Sequence, residues 1–224
     1  MVYSQIKIPA TLLLCIFFCF SSKAQFSRNY NRDNNPYKSG YQRVAVGGAH
    51  TFDLMGGKLY AYGENSNGQL GLGDYENRNE PEQVGTESDW VLVAAGLNFT
   101  LALKNDGTLW SWGNNNEGQL GIGIFTTPRP LPQKVDNSTN WVGIAAGKSH
   151  AMALKSNGTL WAFGANLYGQ LGLGSEDRKL VPTQVGTDKN WIMVAAGLDH
   201  TLALKSNGTL WTWGFNGYGQ LGLG

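Results

Sequence analysis

The feature that most constrains this chain is that it repeats itself. The segments VAVGGAHTF (44–52), VAAGLNFTL (93–101), IAAGKSHAM (144–152) and VAAGLDHTL (194–202) are versions of one another. Each is followed by a second segment, LYAYG (59–63), LWSWG (109–113), LWAFG (160–164) and LWTWG (210–214), and then by a glycine-rich run of the form GQLGxG. The closing glycines of the second segment, Gly63, Gly113, Gly164 and Gly214, lie 50, 51 and 50 residues apart. All eight tryptophans fall on repeat positions, among them Trp110, Trp112, Trp161, Trp211 and Trp213. A period of this length means that each copy is one supersecondary unit, which buries its apolar face only against its neighbours.

The unit reads as β-structure. In the fourth copy Thr201–Lys205 alternates as a strand does, and Asn207-Gly208 then separates it from Leu210–Trp213. Asp106-Gly107 and Asn157-Gly158 stand at the same place in copies two and three. An Asn-Gly pair predicts a two-residue hairpin loop. That loop sets Leu204 opposite Trp211 and Leu202 opposite Trp213, so that leucines and tryptophans share one sheet face. The first copy, with Gly56-Gly57, suits a three-residue loop. A further strand, Trp191–Gly197 in the fourth copy, ends in small residues, as crowding at a central axis requires. A short fourth strand is expected near Pro81–Val84, Pro132–Val135 and Pro182–Val185, with proline tolerated at a strand start or edge. Four strands in about 50 residues, without a helical period, predict an all-β fold of β-propeller blades, each of four antiparallel strands. The four copies run over about 41–90, 91–140, 141–190 and 191–224, the last incomplete.

These motifs, AAG-x-x-H-(T/A), L-W-x-(W/F)-G and N-x-x-G-Q-L-G-x-G, resemble the regulator of chromosome condensation repeat. The resemblance covers 41–224. It implies a seven-bladed propeller, so four copies are expected to be part of a ring and the chain a truncated member. Nucleotide exchange on a small GTPase and chromatin binding, the work of the founding member, are implied as one role. Ultraviolet sensing through Gly-Trp-Arg-His-Thr clusters is another. The positions matching the tryptophan of that motif hold Gly48, Leu97, Lys148 and Leu198, which argues against a sensing role.

Ahead of the repeats, residues 1–24 read as a cleaved signal peptide. Lys7 precedes an apolar run from Ile8 to Phe20, too short to span a bilayer comfortably, and small residues stand at Ser22 and Ala24. Residues 25–40 are polar and read as a flexible lead-in. Both cysteines, Cys15 and Cys19, lie in the leader, so the mature chain is expected to have no disulfide, no thiolate metal site and no cysteine nucleophile. Losing Lys7 and Lys23 leaves 15 basic against 16 acidic side chains, a balance that does not favour a nucleic-acid partner. Secretion or surface display is expected, with no membrane span in the mature chain. Four Asn-x-Ser/Thr triplets begin at Asn98, Asn137, Asn157 and Asn207, and two of these are hairpin tips.

Nothing in the repeats reads as catalytic, and no cofactor or metal site is expected. His50, His150 and His200 are equivalent, with Phe99 in the second copy. They are expected to be structural, bonding backbone within their own blades, since equivalent residues on different blades are spread around a ring and cannot meet at one ion. Asp199 and His200 are adjacent on a strand and point to opposite faces. The GQLGLG runs lack the strand–helix setting of a dinucleotide fingerprint. What differs between copies is the loop region around and after GQLGxG. Tyr75, Arg78, Phe125, Arg129, Tyr168, Asp177, Arg178 and Tyr218 are therefore the candidate partner-binding residues, because aromatic side chains and arginine anchor interfaces. The expected function is an exported scaffold that binds a protein or glycan by adhesion or in the manner of an inhibitor. GTPase regulation and service as the non-catalytic head of a larger secreted enzyme are the alternatives.

Overall fold

The structure, a computed structural model, describes residues 4–6, 43–125 and 127–223. It contains sixteen strands in four four-stranded sheets. The first sheet holds β2 (Arg43–Val46), β3 (His50–Met55), β4 (Lys58–Gly63) and β5 (Arg78–Gln83), in that spatial order. The second holds β6 (Trp90–Ala95), β7 (Phe99–Lys104), β8 (Leu109–Gly113) and β9 (Arg129–Lys134). The third holds β10 (Trp141–Ala146), β11 (His150–Lys155), β12 (Leu160–Gly164) and β13 (Lys179–Gln184). In the fourth, β14 (Trp191–Ala196), β15 (His200–Lys205) and β16 (Leu210–Gly214) are joined by β1 (Ser4–Ile6), which pairs with β16 where β5, β9 and β13 pair in the other sheets. Every strand pairing is antiparallel, as expected for propeller blades. The fourth strand of each complete copy starts three residues earlier than the proline-led segments indicate.

β1 belongs to the segment read as a leader. The remaining leader residues and the whole of the expected lead-in (25–40) lie outside the described residues.

The hairpin register differs from the sequence reading. Leu103 pairs with Leu109 and Ala102 with Trp110, and likewise Leu204 with Leu210 and Ala203 with Trp211. The loop of copies two to four has three residues, such as Asn105-Asp106-Gly107, and its glycine alone takes the left-handed conformation (Gly107, φ 77°). The preceding Asx side chain closes the turn, for Asp106 Oδ1 accepts both the N–H and the hydroxyl of Thr108. The first copy has the two-residue loop instead, since Met55 pairs with Lys58 across Gly56 and Gly57. A shift of one residue exchanges the faces. Leucines and tryptophans therefore line opposite sides of each blade.

That exchange explains the stacking. The leucine side of one blade packs on the tryptophan side of the next. Phe52, Leu54 and Leu59 meet Trp90, Val93 and Trp112; Phe99, Leu101 and Leu109 meet Trp141, Ile144 and Phe163; Met152, Leu154 and Leu160 meet Trp191, Val194 and Trp213. Both sides of the middle sheets are thus buried, which is why β7 and β11 are covered nearly throughout. At the inner edge, the loops after β2, β6 and β10 hydrogen-bond to the following blade. Gly48 N donates to Gly96 O, Leu97 N to Gly147 O and Lys148 N to Leu198 O. At the other end of the strands, Lys104, Lys155 and Lys205 each lie between two tryptophans of their own blade, with Nζ 4.1–5.0 Å from the ring centroids.

Candidate functional site

The inner loops (after β2, β6, β10 and β14) and the long loops (after β4, β8, β12 and β16) emerge on one side of the sheets, and the hairpin turns emerge on the other. Each long loop leaves its strand at a glycine that no other residue replaces easily. Gly113 has φ 100°, and a Cβ there would lie 2.7 Å from Asn98 O. Its N-terminal half is then held by two buried side chains. Asn115 Oδ1 accepts from Leu120 N while its Nδ2 donates to Ile124 O, and Gln119 Oε1 accepts from Glu117 N. Asn65 with Gln69, and Asn166 with Gln170, repeat the arrangement. The invariant letters of N-x-x-G-Q-L-G thus fold the loop, and the variable letters are displayed on a fixed backbone.

The variable positions change character along the chain. They are Glu64, Ser66 and Asn67 in blade 1, and Asn114, Asn116 and Glu117 in blade 2. They become Ala165, Leu167 and Tyr168 in blade 3, and Phe215, Gly217 and Tyr218 in blade 4. The structure brings Tyr168, Phe215 and Tyr218 together, with Phe215 centred 4.9 Å from Tyr168 and 5.9 Å from Tyr218. Tyr218 is 91% exposed, Leu167 69% and Tyr168 47%. Phe215 and Leu167 are absent from the sequence-derived candidates. Comparing the letters on either side of the loop asparagine across the four copies would have found them.

A second cluster joins blades 2 and 3. The Arg178 guanidinium lies 5.2 Å from the Phe125 ring centre, pairs with Glu117 at 3.2 Å and donates to Asn116 O. Phe125 and Arg178 are both exposed. Asp177 is exposed beside them, and its backbone carbonyl accepts from Asn166. Arg129 is half-buried and donates to Thr127. Arg78 is occupied within its own loop by Asp74, Glu82 and the Glu76 carbonyl. Its hydrogen bond, more than any other contact, holds the Asp74 carboxyl below its usual range, and the two carboxylates raise the Arg78 guanidinium in turn. Tyr75 is exposed on the same loop.

His50 and His150 bond to other partners than the expected backbone of their own blades. His50 Nε2 lies 3.2 Å from the hydroxyl of Thr100 in the next blade, and that hydroxyl donates back to Gln69 O at 2.9 Å. His150, Thr201 and Gln170 O repeat the relay at 3.0 and 2.8 Å. The hydroxyl proton is spent on the carbonyl, so the imidazole donates from Nε2. The bond runs between blades rather than to backbone within one. Burial lowers the pKa of His50 to about 4 and, with repulsion from His200 adding to it, that of His150 to about 3. Trp112 and Trp213 donate to the same two carbonyls.

Comparison with known proteins accords with this architecture. The profile of the RCC1-like domain matches residues 22–224. The chain belongs to that family. It is 35% identical over 146 residues to the ultraviolet-B receptor UVR8 of Arabidopsis thaliana, an alignment covering 63% of this chain and 33% of the receptor. A chain in the crystal structure of Kap60 bound to yeast RCC1 (Prp20) superposes with a TM-score of 0.73 at 28% identity, over 81% of this chain and 45% of that one. Human WBSCR16 gives the same TM-score and identity over 84% and 51%. The chain thus spans about half the length of the solved relatives and a third of the curated one.

Proposed function

We propose that this chain is part of an RCC1-like binding scaffold that takes a protein partner on the long-loop face of blades 3 and 4. The observation that carries this reading is the aromatic shelf of Tyr168, Phe215 and Tyr218, with exposed Leu167 beside it. It stands on a loop backbone that is polar at the same positions in blades 1 and 2. Exposed aromatics gathered on a rigid frame lose little conformational freedom on binding and supply large apolar area, which is the usual composition of an interface centre. Arg178 stacked on Phe125 extends the surface across the junction of blades 2 and 3. Yeast RCC1, a relative, is bound by another protein. Export is part of the proposal, resting on the apolar run from Ile8 to Phe20 and the small residues at Ser22 and Ala24. Cleavage after Ala24 would remove β1 from the β16 edge.

The test is a selection of displayed peptides and of a glycan array against the chain, with counter-selection against Tyr168→Ala, Phe215→Ala, Tyr218→Ala combined. Peptides that bind the parent and lose about a hundredfold in affinity on the triple variant support the reading. Peptides indifferent to the triple variant, or glycans as the only ligands, overturn it. Export is checked by the N-terminal residue of the secreted product, expected to be Gln25.

A further inference from the structure

Arg78 and Arg178 are anchored alike and finished differently. Arg78 spends every guanidinium nitrogen inside its own blade: Nη1 donates to the Glu76 carbonyl, Nη2 to Asp74 Oδ2 and Nε to Glu82 Oε2. Arg178 Nη1 likewise donates to a carbonyl, that of Asn116 in blade 2, and Glu117 faces the same nitrogen at 3.2 Å. Arg178 Nε and Nη2 meet no acceptor among the described residues. These nitrogens form the edge that carboxylates fill in Arg78. Their N–H groups point the same way, as the paired oxygens of a single carboxylate require.

The open edge is also a fixed one. Asn166 Nδ2 donates to Ser175 O and Asp177 O, and Lys179 starts β13 by pairing with Gly164, so the backbone is held on both sides of Arg178. The guanidinium lies over the Phe125 ring, 5.2 Å from its centre. A stacked and anchored guanidinium loses little freedom on binding. The blade itself does not require arginine here. The corresponding residues are Asn77, which turns inward to accept from Asn65 N, and Pro128, which has no polar side chain. The site spans blades 2 and 3, and each of these blades is packed on both sides by described neighbours.

We propose that Arg178 receives an aspartate or glutamate side chain of the protein partner, its oxygens on Nε and Nη2, with Phe125 backing the guanidinium. The inference rests on the loop-face reading and names a further requirement of that partner: it carries an acid as well as the apolar residues that meet the aromatic shelf. Like charges oppose the contact. Glu117 shares the guanidinium, and Glu176 and Asp177 are exposed close by in sequence. The acid is therefore held by paired hydrogen bonds rather than drawn in by the field of the surface.

A library of displayed random peptides tests it, selected in parallel on the parent, on Arg178→Gln and on Tyr168→Ala, Phe215→Ala, Tyr218→Ala combined. Arg178→Gln changes an exposed side chain and leaves the fold intact. Peptides from the parent should carry Asp or Glu at one position, and those from Arg178→Gln should not. Replacing that residue by Asn or Gln in a selected peptide should cost about tenfold in affinity on the parent and less than about twofold on Arg178→Gln. Arg178→Lys should restore little, because lysine lacks the fork. Glu117→Gln should tighten binding about threefold by removing the competing carboxylate. A parent that selects no acidic position, or no peptide at all, overturns the inference, and so does an acid preference that survives Arg178→Gln. Peptides that depend on the shelf and are indifferent to Arg178 overturn this inference alone. An acid preference lost with Arg178 in peptides indifferent to the triple variant supports it and overturns the shelf.

Discussion

Removing one half of the buried relay between blades 3 and 4 should cost more than removing both halves would suggest. Thr201→Ala deletes the acceptor of the His150 Nε2–H, which lies in a residue that is 0% exposed, and one of two donors to the Gln170 carbonyl. Trp213 Nε1 still donates to that carbonyl at 2.9 Å, so the main loss is the orphaned imidazole N–H, about 2 kcal/mol or somewhat more. His150→Phe leaves the Thr201 hydroxyl donating to Gln170 O and costs about 1 kcal/mol. The double variant installs the pair that the chain already uses at Phe99 and Ala151. Its loss should fall short of the sum of the single losses by about 1–2 kcal/mol. Urea unfolding of the four proteins at pH 7.5 completes the cycle. Losses that add to within about 0.3–0.5 kcal/mol would refute the relay, for they would mean that the two residues act independently.

Three further outcomes follow from the same geometry. His50 and His150 have folded pKa values lowered to about 4 and about 3, below the unfolded value of about 6.5, so the unfolded chain takes up protons first as the pH falls. Their contribution is complete above that value and lost below it, about 2–3 kcal/mol for each by pH 4.5. Comparing urea midpoints at pH 7.5 and 4.5 should show that His150→Phe with Thr201→Ala loses less between the two. Imidazole nitrogen shifts in NMR should show both histidines neutral and protonated on Nε2 at pH 6, and a protonated Nδ1 would contradict the relay. Gly113→Ala places a side chain at φ 100° and against Asn98 O, and should lower stability by about 2 kcal/mol or more in thermal or urea melts.

The period, the strand content and the blade architecture were legible because tryptophan, glycine and the AAG segment recur at fixed intervals. The hairpin register was not. Asn207-Gly208 reads as the centre of a two-residue loop, but Asn207 Oδ1 bonds Thr209 instead, and the residue before it joins the loop. That one residue decides whether Leu204 and Trp211 share a face, and hence how blades stack. The histidines were legible as structural but not as links between blades, because the partner lies 50 or 51 residues away. The cue was present in the parallel change of Phe99 and Ala151. Tyr168, Tyr218, Phe125 and Arg178 were legible as loop residues that differ between copies. Arg78 shows the limit of that reasoning, since its guanidinium closes its own loop.

A partner held on the long-loop face should be captured there and not on the hairpin side. A photo-crosslinking amino acid placed at Tyr218 on that face, and separately at Asn207 on the hairpin tips of the opposite side, tests it with a peptide selected on the parent chain. A covalent adduct is expected from position 218 and none from position 207. An adduct from 207 alone, or equal adducts from both, would contradict it.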